Sequence, residues 1–392
     1  MIFQRKKRWR QTENRPQRTN AALGLQTVVM AVFLCLAQCP ASASDLVSAL
    51  EVKTPVVLCG ETVPLDDPQV RERFEKEMLL SMGNRPQLIL WLKRSTRYFP
   101  FIEKSLRQSQ LPEDLKFLAV AESALRMHAG SIKGAMGVWQ LMPQTARKYG
   151  LLVNDAVDER RNIYLSTPAA LTYLTDLYER FGSWSLSLAA YNLGEERLEA
   201  EILEQGVDDY YRLYLPLETQ RFVFRIMAIK LIFQAPDHYG VNLEPAHCYP
   251  PQDFSTVRIS IATDIPLRLI AEAAKTDFKT IKALNPELRG YYLAAGQRMV
   301  NVPRKSDTGF QKRLAVSVEK NAALRNQRLY VVKKGDSLSG IAQKFDVPVI
   351  ALLIWNRIGI RHVIHPGQRL VVYSPAPSHV RDPHTNDGDG EG

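Results

Sequence analysis

The sequence predicts a multidomain chain, an all-α unit in front and two small βααβ units behind, and three observations predict it. Helical periodicity and helix punctuation run almost unbroken to about residue 250, with strand-like runs nearly absent. Tyr249-Pro250-Pro251 then breaks the pattern, and short β-like runs such as Val257 to Ile261 follow. Past that break the chain repeats itself. Ile270-Ala271, Asn285 and Gly296-Gln297-Arg298 recur at a single offset as Ile341-Ala342, Asn356 and Gly367-Gln368-Arg369, which is what a duplicated module predicts.

Taken in order, residues 1–43 hold a basic segment, an uncharged apolar run from Ala21 to Ala37, and Ala41-Ser42-Ala43 as a small-residue cleavage site. That is the layout of a secretory signal, so export is expected, with membrane association through the N-terminus left open. The long basic segment leaves room for an uncleaved anchor, and Leu36 to Cys39 for a lipoprotein box. Residues 44–84 form an N-terminal extension with an amphipathic helix through Val70, Phe74, Leu79 and Leu80. Residues 85–250 are the helical unit, beginning with one helix through Ile89 to Leu92 and another through Phe101 to Leu106. Pro112 opens the next, a helix after the glycine turns ends at Gly150, and Ala169 to Phe181 stops at Gly182. Ser183 caps a helix closed by Gly194, and two more follow, the last from Pro216 to Gln234. Residues 251–304 and 329–373 are the two copies, and 305–328 is a polar link, either a helix or a tether. Residues 374–392 are polar and rich in Pro and Gly, so disorder is expected.

Composition narrows the function classes. A hydrophobic fraction of 45% with 23% charged residues is that of a globular protein. The formal charge of +10 is concentrated at the start, where seven basic residues from Arg5 to Arg18 face only Glu13. The mild excess elsewhere suits an anionic polymer such as cell wall, and no nucleic-acid motif is present. The seven histidines are scattered without zinc-ligand spacing and no phosphate loop appears, so neither metal nor cofactor is expected. Cys35 and Cys39 lie in the signal. Cys59 and Cys248 remain, bracketing the helical unit, and in an exported chain they suggest a disulfide; two unrelated buried thiols are the alternative.

Leu115 to Met142 carries the chemistry. Leu115, Leu118, Ala119 and Glu122 share one helical face, and Phe117, Val120, Ala121, Ala124 and Leu125 make the other faces apolar. Desolvation raises a carboxyl pKa and keeps a proton available for general acid catalysis, although a buried pair with an arginine would place a glutamate there equally well. Gly134 and Gly137 would let the backbone approach a ligand, and Gln140 would begin a helix with Pro143 in its first turn.

Glu122-Ser123, Ser131, GAMGVWQLMP at Gly134 to Pro143, AYNLG at Ala190 to Gly194 and LETQRFV at Leu217 to Val223 stand in the order of a known catalytic signature. In these motifs the chain resembles lytic transglycosylases of the soluble-lytic-transglycosylase type, whose fold is lysozyme-like. The resemblance implies that Glu122 protonates the bond between N-acetylmuramic acid and N-acetylglucosamine and then takes the C6 hydroxyl proton, leaving a 1,6-anhydro sugar. It further implies that Ser123 contacts the glycan, that Gln140 and Met142 line its groove, and that Tyr191 orients Glu122 through its hydroxyl. Asn192 would hold a turn or a sugar, and Glu218 the sugar's C6 hydroxyl. Read on their own, Tyr191 could be a core aromatic, Asn192 a helix cap and Glu218 the partner of Arg221 or Arg225. Leu125 and Met127 depart from the family, which often has an aromatic and a proline there.

The second copy, with GDSL at Gly335, Asp336, Ser337 and Leu338, then Asn356, Ile364 and Pro366-Gly367, resembles the LysM module, a binder of N-acetylglucosamine-containing glycans. The first copy is a degenerate version, with Asp264-Ile265-Pro266 and Ala295 in the loop positions, so its sugar binding is doubtful. The expectation is a monomeric enzyme acting on peptidoglycan strands in the periplasm of a Gram-negative bacterium. A hydrolytic muramidase of goose-lysozyme type and an inactive wall-binding scaffold are the alternatives.

Overall fold

The computed structural model describes residues 50–52, 55–327 and 329–373. The chain divides into two units, Met1–Thr54 and Pro55–Gly392. The expected signal with Cys35 and Cys39, and the expected disordered tail, lie outside the described residues. No single helix among the described residues is long and apolar enough to cross a membrane.

The second unit opens with a two-residue hairpin, Val57–Leu58 paired with Glu61–Thr62. The helix Pro68–Gly83 follows, started by Asp67, whose carboxylate accepts from the Gln69 and Val70 amides. It buries Val70, Phe74 and Met78, spaced by one helical turn, whereas Leu79 and Leu80, expected on that face, are exposed. The two short helices expected next are a single helix, Arg85–Gln108, with Pro100 inside it and no turn residue to divide it.

Pro112 precedes a short 3₁₀ turn and then the acid helix, Lys116–Ser123. This helix is shorter than its apolar pattern suggested. Ala124 ends it in the left-handed conformation, Leu125 continues with positive φ, and Glu122 therefore sits in the last turn. Ile163–Phe181 also starts earlier than expected, with Pro168 near its start; Gly182, Ser183, Gly194 and Gly206 punctuate the helices as the sequence indicates. The long Leu217–Gln234 helix buries Phe222, Phe224, Ile226, Met227, Ile229 and Ile232 in the helical core, and it packs against Pro68–Gly83, the acid helix and Trp184–Leu193.

Both repeats are βααβ units. In the first, Phe254–Ile261 pairs antiparallel with Gly296–Pro303 around the helices Leu267–Ala273 and Phe278–Leu284. In the second, Leu329–Val331 pairs with Arg369–Val371 around Leu338–Lys344 and Val349–Asn356. The duplication is visible in side-chain chemistry. Asn285 donates to the Ile281 and Asn301 carbonyls and accepts from the Asn301 amide; Asn356 makes the same three bonds to Leu352, Val371 and Val371. The link of 305–328 is a helix for most of its length, Phe310–Gln327, with Phe310 and Leu314 buried in the core of the first repeat.

The expected disulfide is absent. Cys59 and Cys248 are free thiols: Cys59 lies in the hairpin turn, its thiol raised in pKa chiefly by burial and then by Asp114, while the Cys248 sulfur faces the Glu244 carbonyl.

Candidate active site

Glu122 stands where the acid helix, the glycine loop and the helices ending in Leu193 and beginning at Leu217 converge. Part of its surface still reaches solvent, yet desolvation dominates and pushes its carboxyl up to about 8. Arg225 opposes that shift and Glu218 adds to it. No hydrogen bond or ion pair reaches the Glu122 carboxyl among the described residues. Its arginine neighbour Arg225 is engaged elsewhere: it faces the buried Glu77 at 3.5 Å, beside Arg221 at 2.5 Å. Glu218 is thus exposed and outside that pair, contrary to the structural alternative for it.

The loop from Gly130 to Met142 forms the opposite wall, and an arginine absent from the sequence reading holds it. Buried Arg160 pairs with Asp158 through two bonds, 2.8 and 2.9 Å, and its Nη1 donates to the Gly134 and Leu141 carbonyls. Gly137 has φ of +85°, and a Cβ there would collide with the Arg160 backbone. Its bareness accommodates the chain, not a ligand, which corrects the role expected for it. A signal existed in the acidic-basic run of Asp158 to Arg161, but such runs usually decorate surfaces.

Other expectations shift in the same way. Gln140 does not begin a helix; it has positive φ, and Pro143 is itself the first residue of Pro143–Lys148. Its amide nitrogen donates to the Ala129 and Gly137 carbonyls, which leaves the side-chain oxygen as an acceptor. Met142 is 42% exposed at the rim. Ser123, expected at the glycan, is buried with its hydroxyl donating to Ala119, because it lies on the inner face of the last helical turn. Tyr191 gives its hydroxyl proton to the Trp139 carbonyl at 2.6 Å, not to Glu122. The Glu122 charge nonetheless helps raise its pKa, so the two are neighbours, and the phenol oxygen keeps a lone pair for a protonated Glu122. Asn192 accepts from Thr219 and ties its helix to Leu217–Gln234. Behind Tyr191 lies a row of tilted rings that the sequence did not reveal, Tyr149, Tyr173 and Tyr191, with centroids 5.3 Å apart at each step.

In the second repeat Gly335 and Gly367 have positive φ, Asp336 accepts from the Lys333 amide and the Tyr330 hydroxyl, and Ser337 caps the first helix. Leu338 and Ile364 pack on its core, and Pro366 precedes the turn at Gly367. Asn356, expected at the glycan, is the structural clamp described above. In the first repeat the Asp264 carboxylate accepts from the Ala295 amide and pairs with Arg357 of the second, so it ties together the two loops that correspond to the second repeat's.

The first repeat also docks on the helical domain. Asp158 donates its amide to Glu287, Asn162 its carboxamide to the Glu287 carboxylate, and Arg289 its amide to Ala156, while Val157 enters the core of the repeat. The segment that carries Arg160 is therefore the segment that holds the repeat.

The site is thus a proton-retaining carboxyl in a helical domain that two small βααβ modules follow, which fits an enzyme using general acid chemistry. Comparison with known proteins makes this specific. The family description Transglycosylase SLT domain matches residues 99–213, and LysM domain matches 267–300 and 330–372. Membrane-bound lytic murein transglycosylase D of Escherichia coli K12 is 30% identical over 331 residues, covering 80% of this chain and 71% of that protein. The chain belongs to the lytic murein transglycosylase family and is a peptidoglycan lytic transglycosylase with LysM domains. A putative tributyltin chloride resistance protein of Alteromonas is 35% identical over 113 residues, 28% of this chain and 55% of that one. Among solved structures, the 70 kDa soluble lytic transglycosylase of Escherichia coli is 16% identical with a TM-score of 0.33, over 58% of this chain and 46% of that one. Lytic transglycosylase Slt of Pseudomonas aeruginosa is 19% identical with a TM-score of 0.28, over 40% and 26%. The chain thus spans less than half of either.

Proposed function

We propose that this enzyme cleaves the β-1,4 bond between N-acetylmuramic acid and N-acetylglucosamine without water, leaving 1,6-anhydro ends. The observation that supports this most is Glu122, held protonated by desolvation and with no partner among the described residues that would claim its proton. It donates to the glycosidic oxygen, and as a carboxylate it then removes the proton from the muramic acid C6 hydroxyl as that oxygen closes on C1. A tethered nucleophile has a high effective concentration, so no water need be positioned. Tyr191 steadies Glu122 by accepting from it, Gln140 offers its oxygen and Met142 an apolar edge to the strand, and Asn192 braces the wall. Ser123 serves by shaping the helix end.

Glu218 favours a second reading. It is a carboxylate near enough to raise the Glu122 pKa, and two carboxyl groups are what hydrolysis needs. Mass spectrometry of digested cell wall separates the two: anhydro-muramic ends support transfer, and reducing ends with Glu218-dependent release support hydrolysis. The intact acid argues against an inactive scaffold, and Glu122→Gln that still released muropeptides at the native rate would remove Glu122 from the mechanism.

In the second repeat, Gly335, Asp336, Ser337 and Leu338 with Ile364, Pro366 and Gly367 form the two loops proposed to hold N-acetylglucosamine, anchoring the enzyme to its polymer. The family and the signal-like N-terminus support a periplasmic enzyme in the cell envelope.

A further inference from the structure

A second cleft, of about 350 Å³, lies between the Arg85–Gln108 helix and the segment leaving the acid helix, with Tyr249 on one side. Its wall carries Arg94, Arg97, Arg126 and His128, and none of its lining residues is acidic. Arg107, by contrast, meets Glu113. Arg94, Arg97 and Arg126 make no ion pair among the described residues. They are held instead by main-chain oxygens: Arg94 donates to Ala124, Arg97 to Pro250 and Arg126 to Ser123, at 2.9 to 3.1 Å. Each bond fixes a guanidinium without neutralising it and leaves most of its five donors unused. The Arg97 guanidinium also lies 5.2 Å from the Tyr249 ring centroid. The positive surroundings extend past the rim, since His128 is lowered in pKa by burial first and then by Arg161 and Lys282.

The cleft adjoins the reacting centre. Leu125 is three residues beyond Glu122, at most about 11 Å of chain. Ala129, in the same wall, accepts from Gly137 and Gln140, so this segment backs the glycine loop. Leu125 and Met127, the two departures from the family pattern, both line it.

We propose that this cleft binds a carboxylate of the peptide stem carried by muramic acid, so that the enzyme reads peptide as well as glycan. This rests on the assignment of Glu122 to murein cleavage. A stem begins on the lactyl group of the cleaved sugar, its residues carry free carboxylates, and three or four extended residues reach about 10–14 Å, no less than the chain length that separates Glu122 from Leu125. Fixed, uncompensated arginines favour a carboxylate by charge-assisted, two-pronged bonding.

The test uses the full chain on three substrates: wall strands with native stems, strands whose stem carboxylates have been amidated, and strands stripped of peptide by an amidase. New chain ends are counted whatever their chemistry, so an error in the assigned product does not affect the result. The expected outcome is a preference of about tenfold in kcat/KM for native over amidated stems, collapsing towards unity in Arg97→Gln and in Arg126→Gln and partly restored in Arg97→Lys. A ratio insensitive to amidation, or equal in wild type and variants, overturns the proposal. Should no strand be cleaved, calorimetric titration with a free stem tripeptide decides it. Binding of the carboxylate form that is weaker after amidation and in Arg97→Gln is expected, and equal binding or none refutes it.

Discussion

A carboxyl that titrates at about 8 keeps its proton through the neutral range, and this has two measurable consequences at Glu122. As general acid it is competent below that pH, so kcat should fall as pH rises through about 8. Glu122→Gln should lose a factor of about 10²–10⁴ where the acid is needed. For stability the folded pKa is raised above the unfolded one near 4.5, so the folded state binds the extra proton between them and stability falls as pH rises through that window. Glu122→Gln should therefore unfold later than wild type at pH 8, by about 1–3 kcal/mol, and the gap should close below pH 4.5. Denaturant midpoints at both pH values check this; a variant less stable than wild type at pH 8 contradicts it. At Gly137 the sign is opposite. Gly137→Ala meets the Arg160 backbone and an unfavourable φ, so about 2–4 kcal/mol should be lost in thermal unfolding, with activity lost alongside it.

At the scale of elements, what the sequence showed and what it hid divide along a physical line. Helix ends were legible at Gly182, Ser183 and Gly194 because caps are local chemistry. The acid was legible because a charge on an apolar helix contradicts its surroundings. The support of the catalytic loop was not, since Asp158 and Arg160 act on Gly134 and Leu141 about twenty residues away, and nothing in spacing encodes that reach. The Ser123 direction was hidden too, because the helix ends one residue past it and only the fold sets which side faces in. The Arg160 brace carries its own prediction. Arg160→Lys keeps the charge but cannot make the fork to Asp158 and still reach two carbonyls, so the glycine loop should loosen. Cleavage should drop about tenfold or more while binding of the chain to insoluble wall is retained. Equal loss of binding would mean that Arg160 supports the whole molecule.

For the whole molecule, two repeats of common descent have taken different positions, and truncation separates them. The second repeat keeps open loops at Gly335 and Gly367, whereas in the first Asp264 bridges the corresponding loops and Glu287, Leu288 and Arg289 clasp the segment around Asp158. Removing Leu329 to Tyr373 should weaken binding to insoluble wall, by about tenfold or more, and spare cleavage of short soluble glycans. Ending the chain instead before Phe254 would expose Val157 and leave Asn162 and Asp158 without their partners on the repeat. Burial of one such apolar side chain with two or three hydrogen bonds is worth a few kcal/mol, at about 1 kcal/mol per bond and about 1.5–3 kcal/mol for the side chain. The chain ended before Phe254 should therefore have a lower unfolding midpoint of the helical domain and reduced turnover even on short glycans, because the exposed segment is the one that carries Arg160. Thermal unfolding and soluble-glycan assays on the two truncations, side by side, decide it. Identical stability of the helical domain in both would show that the first repeat is a passive spacer.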